Sequence, residues 1–116
     1  MLRKAYIYDG KQNDLFLGQV LYNTEKDSYT IEVNKELTLD QLPWMWELII
    51  KKYGSYTFDE YWSKEWIRKR CLPPNRQLIE VTLRSWGLTE YNEFDMTVRT
   101  LGRVPYDSIY VKEVFD

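Results

Sequence analysis

The 116 residues contain no histidine and a single cysteine, Cys71. Without histidine there is no Ser-His or Cys-His nucleophile pair, no imidazole proton shuttle and no imidazole metal ligand. A lone cysteine cannot close an internal disulfide or build a zinc cluster. The five glycines stand apart at positions 10, 18, 54, 87 and 102, so no glycine-rich loop is present to cradle a phosphate. No apolar run approaches the ~20 residues that span a bilayer, and the opening MLRKAYIYDG lacks the apolar stretch of a secretory signal. The expectation from these absences is a cytoplasmic, non-membrane protein with no metal and no cofactor.

Carboxylate pairs survive this exclusion, because glycoside hydrolysis needs only two. Asp59-Glu60 and Glu93-Asp95 are the tightest acidic groups. Both fall where helix starts favour negative charge, which accounts for them without catalysis.

What is present is a composition that folds. Hydrophobic residues make up 44% and charged residues 29% of the chain, as in a single globular domain. Aromatics reach 16%, with 5 Trp and 10 Tyr. They serve a dense core, or a binding surface where rigid rings give contact area for little lost rotamer freedom. The net charge of −2 is unevenly spread: residues 1–63 carry seven cations against ten anions, and residues 64–103 carry eight against five. A nucleic-acid binder is normally more basic overall, which leaves only a local basic patch.

The first third reads as strands. RKAYIY alternates Ala5 and Ile7 with Tyr6 and Tyr8, LFLGQVLY is apolar on both sides, and SYTIEV sets Tyr29, Ile31 and Val33 on one side. This predicts a three-stranded antiparallel meander over 1–34. A helical part follows over 38–103. Its first helix is expected from Asp40 as cap, through Pro43, to a stop at Gly54. Leu42, Trp46, Ile49, Ile50 and Tyr53 form its inner face, and Trp44, Met45 and Leu48 extend the apolar surface beyond it. Thr57-Phe-Asp-Glu60 reads as a capping box for the second helix, with Tyr56 stapled onto Tyr61. Phe58, Trp62 and Trp66 recur every fourth residue, and Arg68, Lys69 and Arg70 close that helix.

Pro73 and Pro74 stop it and start the next, so RKRCLPPNR is first a corner between helices. The third helix carries Ile79, Thr82, Leu83 and Trp86 and ends at Gly87, with Leu88 folding back on Leu83. Asn92 caps a short fourth helix bearing Phe94, Val98 and Leu101, stopped by Gly102. The segment 106–115 alternates as a closing strand, with Ile109, Val111 and Phe115 on one side. The fold class is therefore α+β, with three to four helices and a C-terminal strand returning to the sheet.

The same basic stretch has two functional readings. Cys71 beside Arg68, Lys69 and Arg70 has the setting of a lowered thiol pKa, against the plainer reading of a small residue at a tight corner. Lys64, Arg68, Lys69, Arg70 and Arg76, interleaved with Trp62 and Trp66, form a cluster that can pair phosphates and stack bases. Helix-dipole compensation and the core spacing of the two tryptophans explain it without nucleic acid, and arginine equally suits an acidic protein surface.

The run from Tyr61 to Tyr110 resembles a known segment: W-I-R-K-R-C-L-P-P-N-R at 66–76, W-G-L at 86–88, L-G-R at 101–103 and D-S-I-Y-V at 107–111. It is similar to the leader region of HipA-like kinases in mobile-element proteins of Gram-positive bacteria, where W-x-x-x-R-x-x-P-x-x-R leads to a D-x-Y-W-like strand. The matching positions are Trp66, Arg70, Pro73 or Pro74, Arg76, Gly102, Asp107 and Tyr110, on less than half the chain. No catalytic loop or nucleotide-binding residue accompanies them, so kinase activity does not carry over. The resemblance implies a small stand-alone protein of a phage, plasmid or conjugative element, and by analogy with that class an inhibitor of host defence such as an anti-CRISPR protein.

The sequence thus leads to a non-enzymatic protein that occludes a host protein surface, with an RNA-guided CRISPR nuclease or its guide complex as expected partner. Trp44, Arg68, Lys69, Arg70 and Arg76 are the expected contacts. Two alternatives stand beside it: a nucleic-acid-binding regulator using the Arg68–Arg76 cluster, and an antitoxin-like companion of a HipA-like kinase. The terminal strand and the over-apolar first helix leave a homodimer open.

Overall fold

The computed structural model describes residues 1–71 and 79–115. Within them the chain is α+β, with one antiparallel five-stranded sheet and four α-helices. The strands are β1 (Leu2–Asp9), β2 (Leu15–Asn23), β3 (Ser28–Val33), β4 (Thr57–Phe58) and β5 (Ile109–Val114), in the order β4-β3-β2-β1-β5. The helices are α1 (Trp44–Tyr53), α2 (Glu60–Arg68), α3 (Ile79–Ser85) and α4 (Glu93–Arg99). The meander and the returning strand are as the alternation implies. The sheet, however, has five strands rather than a three-stranded meander closed by one return.

The extra strand comes from Thr57 and Phe58, which pair with Glu32 and Ile31 of β3. The capping-box reading fails for that reason. Asp59 is the N-cap of α2 instead, its carboxylate accepting from the Trp62 N–H at 3.0 Å. Ser63 then completes the sheet edge from the helix: its buried hydroxyl accepts from Ile31 N–H at 2.9 Å and donates to Phe58 C=O at 3.2 Å.

The first helix also starts later than expected. Leu39–Gln41 forms a 3-10 turn with a capping box between Thr38 and Gln41, and Asp40 lies inside that turn. Leu42 is extended at φ −92, ψ 155, as the ring of a following proline dictates. Helical geometry therefore begins only after Pro43. Trp46, Ile49 and Ile50 are buried and Glu47 pairs with Lys51 at 2.8 Å, but Tyr53 points to solvent. Gly54 ends the helix at φ 68.

The core lies between the sheet and the helices. Ala5, Ile7, Leu17, Val20, Ile31 and Val111 are at or near zero exposure and meet Trp46, Ile67 and Phe94 from the helices. Gly18, in the central strand, allows its neighbour to approach: a Cβ there would stand 2.4 Å from the Glu32 carbonyl oxygen. A stack of Tyr29, Tyr22 and Phe94, with centroids 4.7 and 5.2 Å apart, ties α4 to the sheet. Arg3 covers Phe94 and bonds Glu113 and Asp95.

The third and fourth helices end and begin as their residues indicate. Leu88 N–H reaches Leu83 C=O at 2.9 Å and Gly87 N–H reaches Arg84 C=O at 3.1 Å, both bonds of a Schellman motif. Asn92 caps α4 through Asp95 N–H at 3.0 Å. Phe115 departs from expectation: it lies past β5 and is exposed. Pro73, Pro74 and Arg76, and with them the proline corner, lie outside the described residues.

Candidate functional site

A cleft of about 590 Å³ opens between α1, α2, the 3-10 turn and the loop before β5. Four of the five tryptophans, Trp44, Trp46, Trp62 and Trp66, line it, together with Phe58, Tyr61 and Tyr106. The position of each ring follows from local structure. Asp59 starts α2 so that Trp62 and Trp66 flank the buried Ser63–Ile67 stripe rather than lie in it. Pro43 sets the start of α1 so that Trp46 turns inward and Trp44 outward. Trp46 meets Phe58 edge-on at 5.6 Å and Trp66 at 5.7 Å, forming the floor. Five aromatic side chains are exposed among the described residues, and three of them, Trp44 at 68%, Tyr61 at 63% and Tyr106 at 74%, rim this one cleft.

One wall of the cleft is a clasp centred on Arg70. Its guanidinium donates to Gly102 C=O at 2.9 Å, to Ile109 C=O at 3.5 Å and to both oxygens of Asp107, and lies 4.5 Å over the Trp66 ring. Its side chain is 6% exposed. Together with Leu101, whose carbonyl accepts from Val111 N–H at 2.8 Å, it covers the first half of the outer edge of β5 and blocks further strand pairing there. Four of the seven motif positions, Trp66, Arg70, Gly102 and Asp107, meet at this clasp. Tyr110, a fifth, faces the other side of the sheet, stacked on Tyr8 at 5.3 Å.

The expected contact residues therefore divide. Trp44 is exposed on the cleft rim and Lys69 is exposed beside it. Arg70 is buried and committed within the chain, which removes it from the set of side chains offered to a partner. Arg68 is exposed but held by Glu65 at 2.9 Å and by Glu93 at 3.4 Å. Arg76 lies outside the described residues. Tyr61, Tyr106, Asp40 and Glu65 line the cleft without having been singled out as contacts. The signal for Tyr61 was its position one residue off the Phe58–Trp62–Trp66 spacing, which turns a large ring away from the core. Tyr106 follows a proline in a polar loop, and nothing local marks it.

The shifts at Cys71, Tyr91 and Asp9 trace to burial and hydrogen bonding. Burial pushes the Cys71 thiol up, the opposite of the shift its basic neighbours suggested, and its Sγ rests 3.4 Å from Tyr91 Oη. Burial, followed by the bond to Cys71, likewise raises Tyr91. At Asp9, on the cleft edge, burial works against the charge, but hydrogen bonds from Ser108, Gln12 and the Lys11 N–H outweigh it and hold the carboxyl below its usual value. No group of three or more His, Cys, Asp or Glu side chains placed to hold a metal occurs among the described residues, and no described helix is long and apolar enough to cross a membrane.

Compared with family models, with curated proteins and with solved structures, the chain matches none.

Proposed function

We propose that this chain is a non-catalytic binding protein that docks a protein partner in the aromatic cleft. The observation that carries this reading is the convergence of Trp44, Tyr61 and Tyr106 on one concave site whose floor is already built from Trp46, Phe58 and Trp66. Exposed Trp and Tyr around a preformed apolar floor are the composition of an interface centre, where a few rings supply most of the binding free energy. The basic cluster contributes less than its sequence suggests, because Arg70 is buried and Arg68 is shared between two glutamates. A grip on phosphates loses two of its cations in this way, which favours protein over nucleic acid.

The partner class follows from the resemblance to mobile-element proteins: a host defence nuclease, RNA-guided, whose surface the chain occludes. The test is co-purification with a panel of purified CRISPR nucleases, with and without guide RNA, and with HipA-like kinases. Three forms are compared: the unaltered chain, a Trp44→Ala/Tyr61→Ala/Tyr106→Ala variant, and an Arg68→Gln/Lys69→Gln variant. A panel member should bind, the cleft variant should lose at least tenfold in affinity, and the cation variant should change little. Absence of binding across the panel removes the nuclease reading. Binding that survives the cleft variant removes the cleft.

A further inference from the structure

We infer that the cleft selects a partner segment that presents a lysine or arginine between apolar neighbours, the cation resting on indole and phenol faces beside Asp40 and Glu65. This deepens the proposed function and rests on it.

Charge comes first. Four carboxylates line the cleft, those of Asp9, Asp40, Glu65 and Asp107, against two cations, Lys69 and Arg70. Arg70 and Asp107 bond each other and Glu65 shares Arg68 with Glu93, which leaves Asp9, Asp40 and a partly compensated Glu65 facing the one amine of Lys69. An acidic segment entering here meets net repulsion. A wholly apolar one strips water from Asp40 and gives nothing back. A cationic side chain answers both terms, and the exposed Trp44, Tyr61 and Tyr106 supply the ring faces on which such a cation binds.

The chain already contains an example of this contact in the same cleft. Arg70 lies 4.5 Å over Trp66 with a carboxylate at its edge, so an incoming cation would repeat, one ring further out, an arrangement the wall has formed internally. A second, independent feature concerns backbone recognition. Trp46 is 1% exposed and sits in the cleft floor, and its buried Nε1–H has no acceptor among the described residues. An unmet indole donor costs free energy in the free protein, and a partner that shifts the floor enough for a peptide carbonyl to meet it relieves that cost. The volume, about 590 Å³, falls within the range that encloses a few side chains.

The test uses a short capped peptide alternating leucine and arginine, and the same peptide with glutamate for arginine, titrated into the full chain at physiological ionic strength by calorimetry and tryptophan fluorescence. The arginine peptide should bind at least about tenfold more tightly. Asp40→Asn/Glu65→Gln, which keeps the acceptor that Thr38 uses, should weaken it about fivefold. The control Glu25→Gln/Glu36→Gln removes the same formal charge from exposed positions elsewhere and should change binding less than about twofold. Equal affinity for the two peptides, preference for glutamate, or equal loss in the control pair overturns the inference, the last because it shows bulk charge alone. If the Trp44, Tyr61 and Tyr106 variant loses the macromolecular partner while Asp40→Asn/Glu65→Gln keeps it, the docking site stands and the selectivity falls. If both variants keep the partner, both fall.

Discussion

Removing Asp107 should be worse for the fold than removing Arg70, although they are two ends of one ion pair. The Arg70 side chain is 6% exposed and that of Asp107 is 26% exposed. Asp107→Ala strands a guanidinium in the interior with only the Gly102 and Ile109 carbonyls, at 2.9 and 3.5 Å, and also frees the Ile109 N–H that Asp107 accepts at 3.1 Å. Breaking a buried pair in this way costs about 3 kcal/mol, the low end of the range because one partner is partly hydrated. Arg70→Met leaves a carboxylate that can rehydrate and a flexible apolar chain against Trp66, and should cost about 1.5 kcal/mol. Since about 1 kcal/mol moves Tm by roughly 4 °C in a chain of this size, the two variants should melt about 12 and about 6 °C below the parent. Urea unfolding with unchanged m-values checks the order directly. Equal losses, or a larger loss for Arg70→Met, refute the argument that burial of the surviving charge sets the cost.

The remaining predictions concern the same framework. Ser63→Ala leaves the Ile31 N–H without its acceptor in the core and should lower stability by about 2 kcal/mol, read by urea denaturation, whereas Ser85→Ala on the exposed side of α3 should change it by less than about 0.5 kcal/mol. Gly102→Ala places a Cβ 2.7 Å from Val111 Cγ2 at a backbone φ of 59; a loss of about 2 kcal/mol or more is expected, and a neutral result contradicts the close approach of this turn to β5. The depressed carboxyl of Asp9 contributes stability that is complete above its unfolded value of 3.8 and is lost as pH falls through its lower folded value. Asp9→Asn should therefore flatten the acid limb of the stability curve below about pH 4, and an unchanged limb places the responsible group elsewhere.

Much of the framework was legible because period-two and capping signals are local. Ala5 and Ile7 against Tyr6 and Tyr8, Asn92 as a cap and Gly87 as a stop each act within a few residues of themselves. Two boundaries were misread where a local signal had two uses. Thr57 looked like a cap, but a threonine before a phenylalanine also suits a sheet edge, and pairing with Glu32 of β3 claimed it. Asp40 looked like a cap, yet the effect of Pro43 on Leu42 moved the helix start past it. The cleft was the least legible part. Arg70 lay in a run of cations whose neighbours are exposed, and only the meeting of Asp107, Gly102 and Ile109, 32 to 39 residues away, buries it. Tyr106 joins Trp44 and Tyr61 through chain topology alone, which no spacing rule records.

The tryptophans provide the most direct measurement, since Trp44, Trp46, Trp62 and Trp66 line the cleft and Trp86 does not. In a titration with the arginine–leucine peptide or an identified protein partner, the indole N–H resonances of the four should shift, Trp46 included, while that of Trp86 stays in place. A shift confined to Trp86, or five unmoved resonances in the presence of a bound partner, would contradict a docking site between α1 and α2.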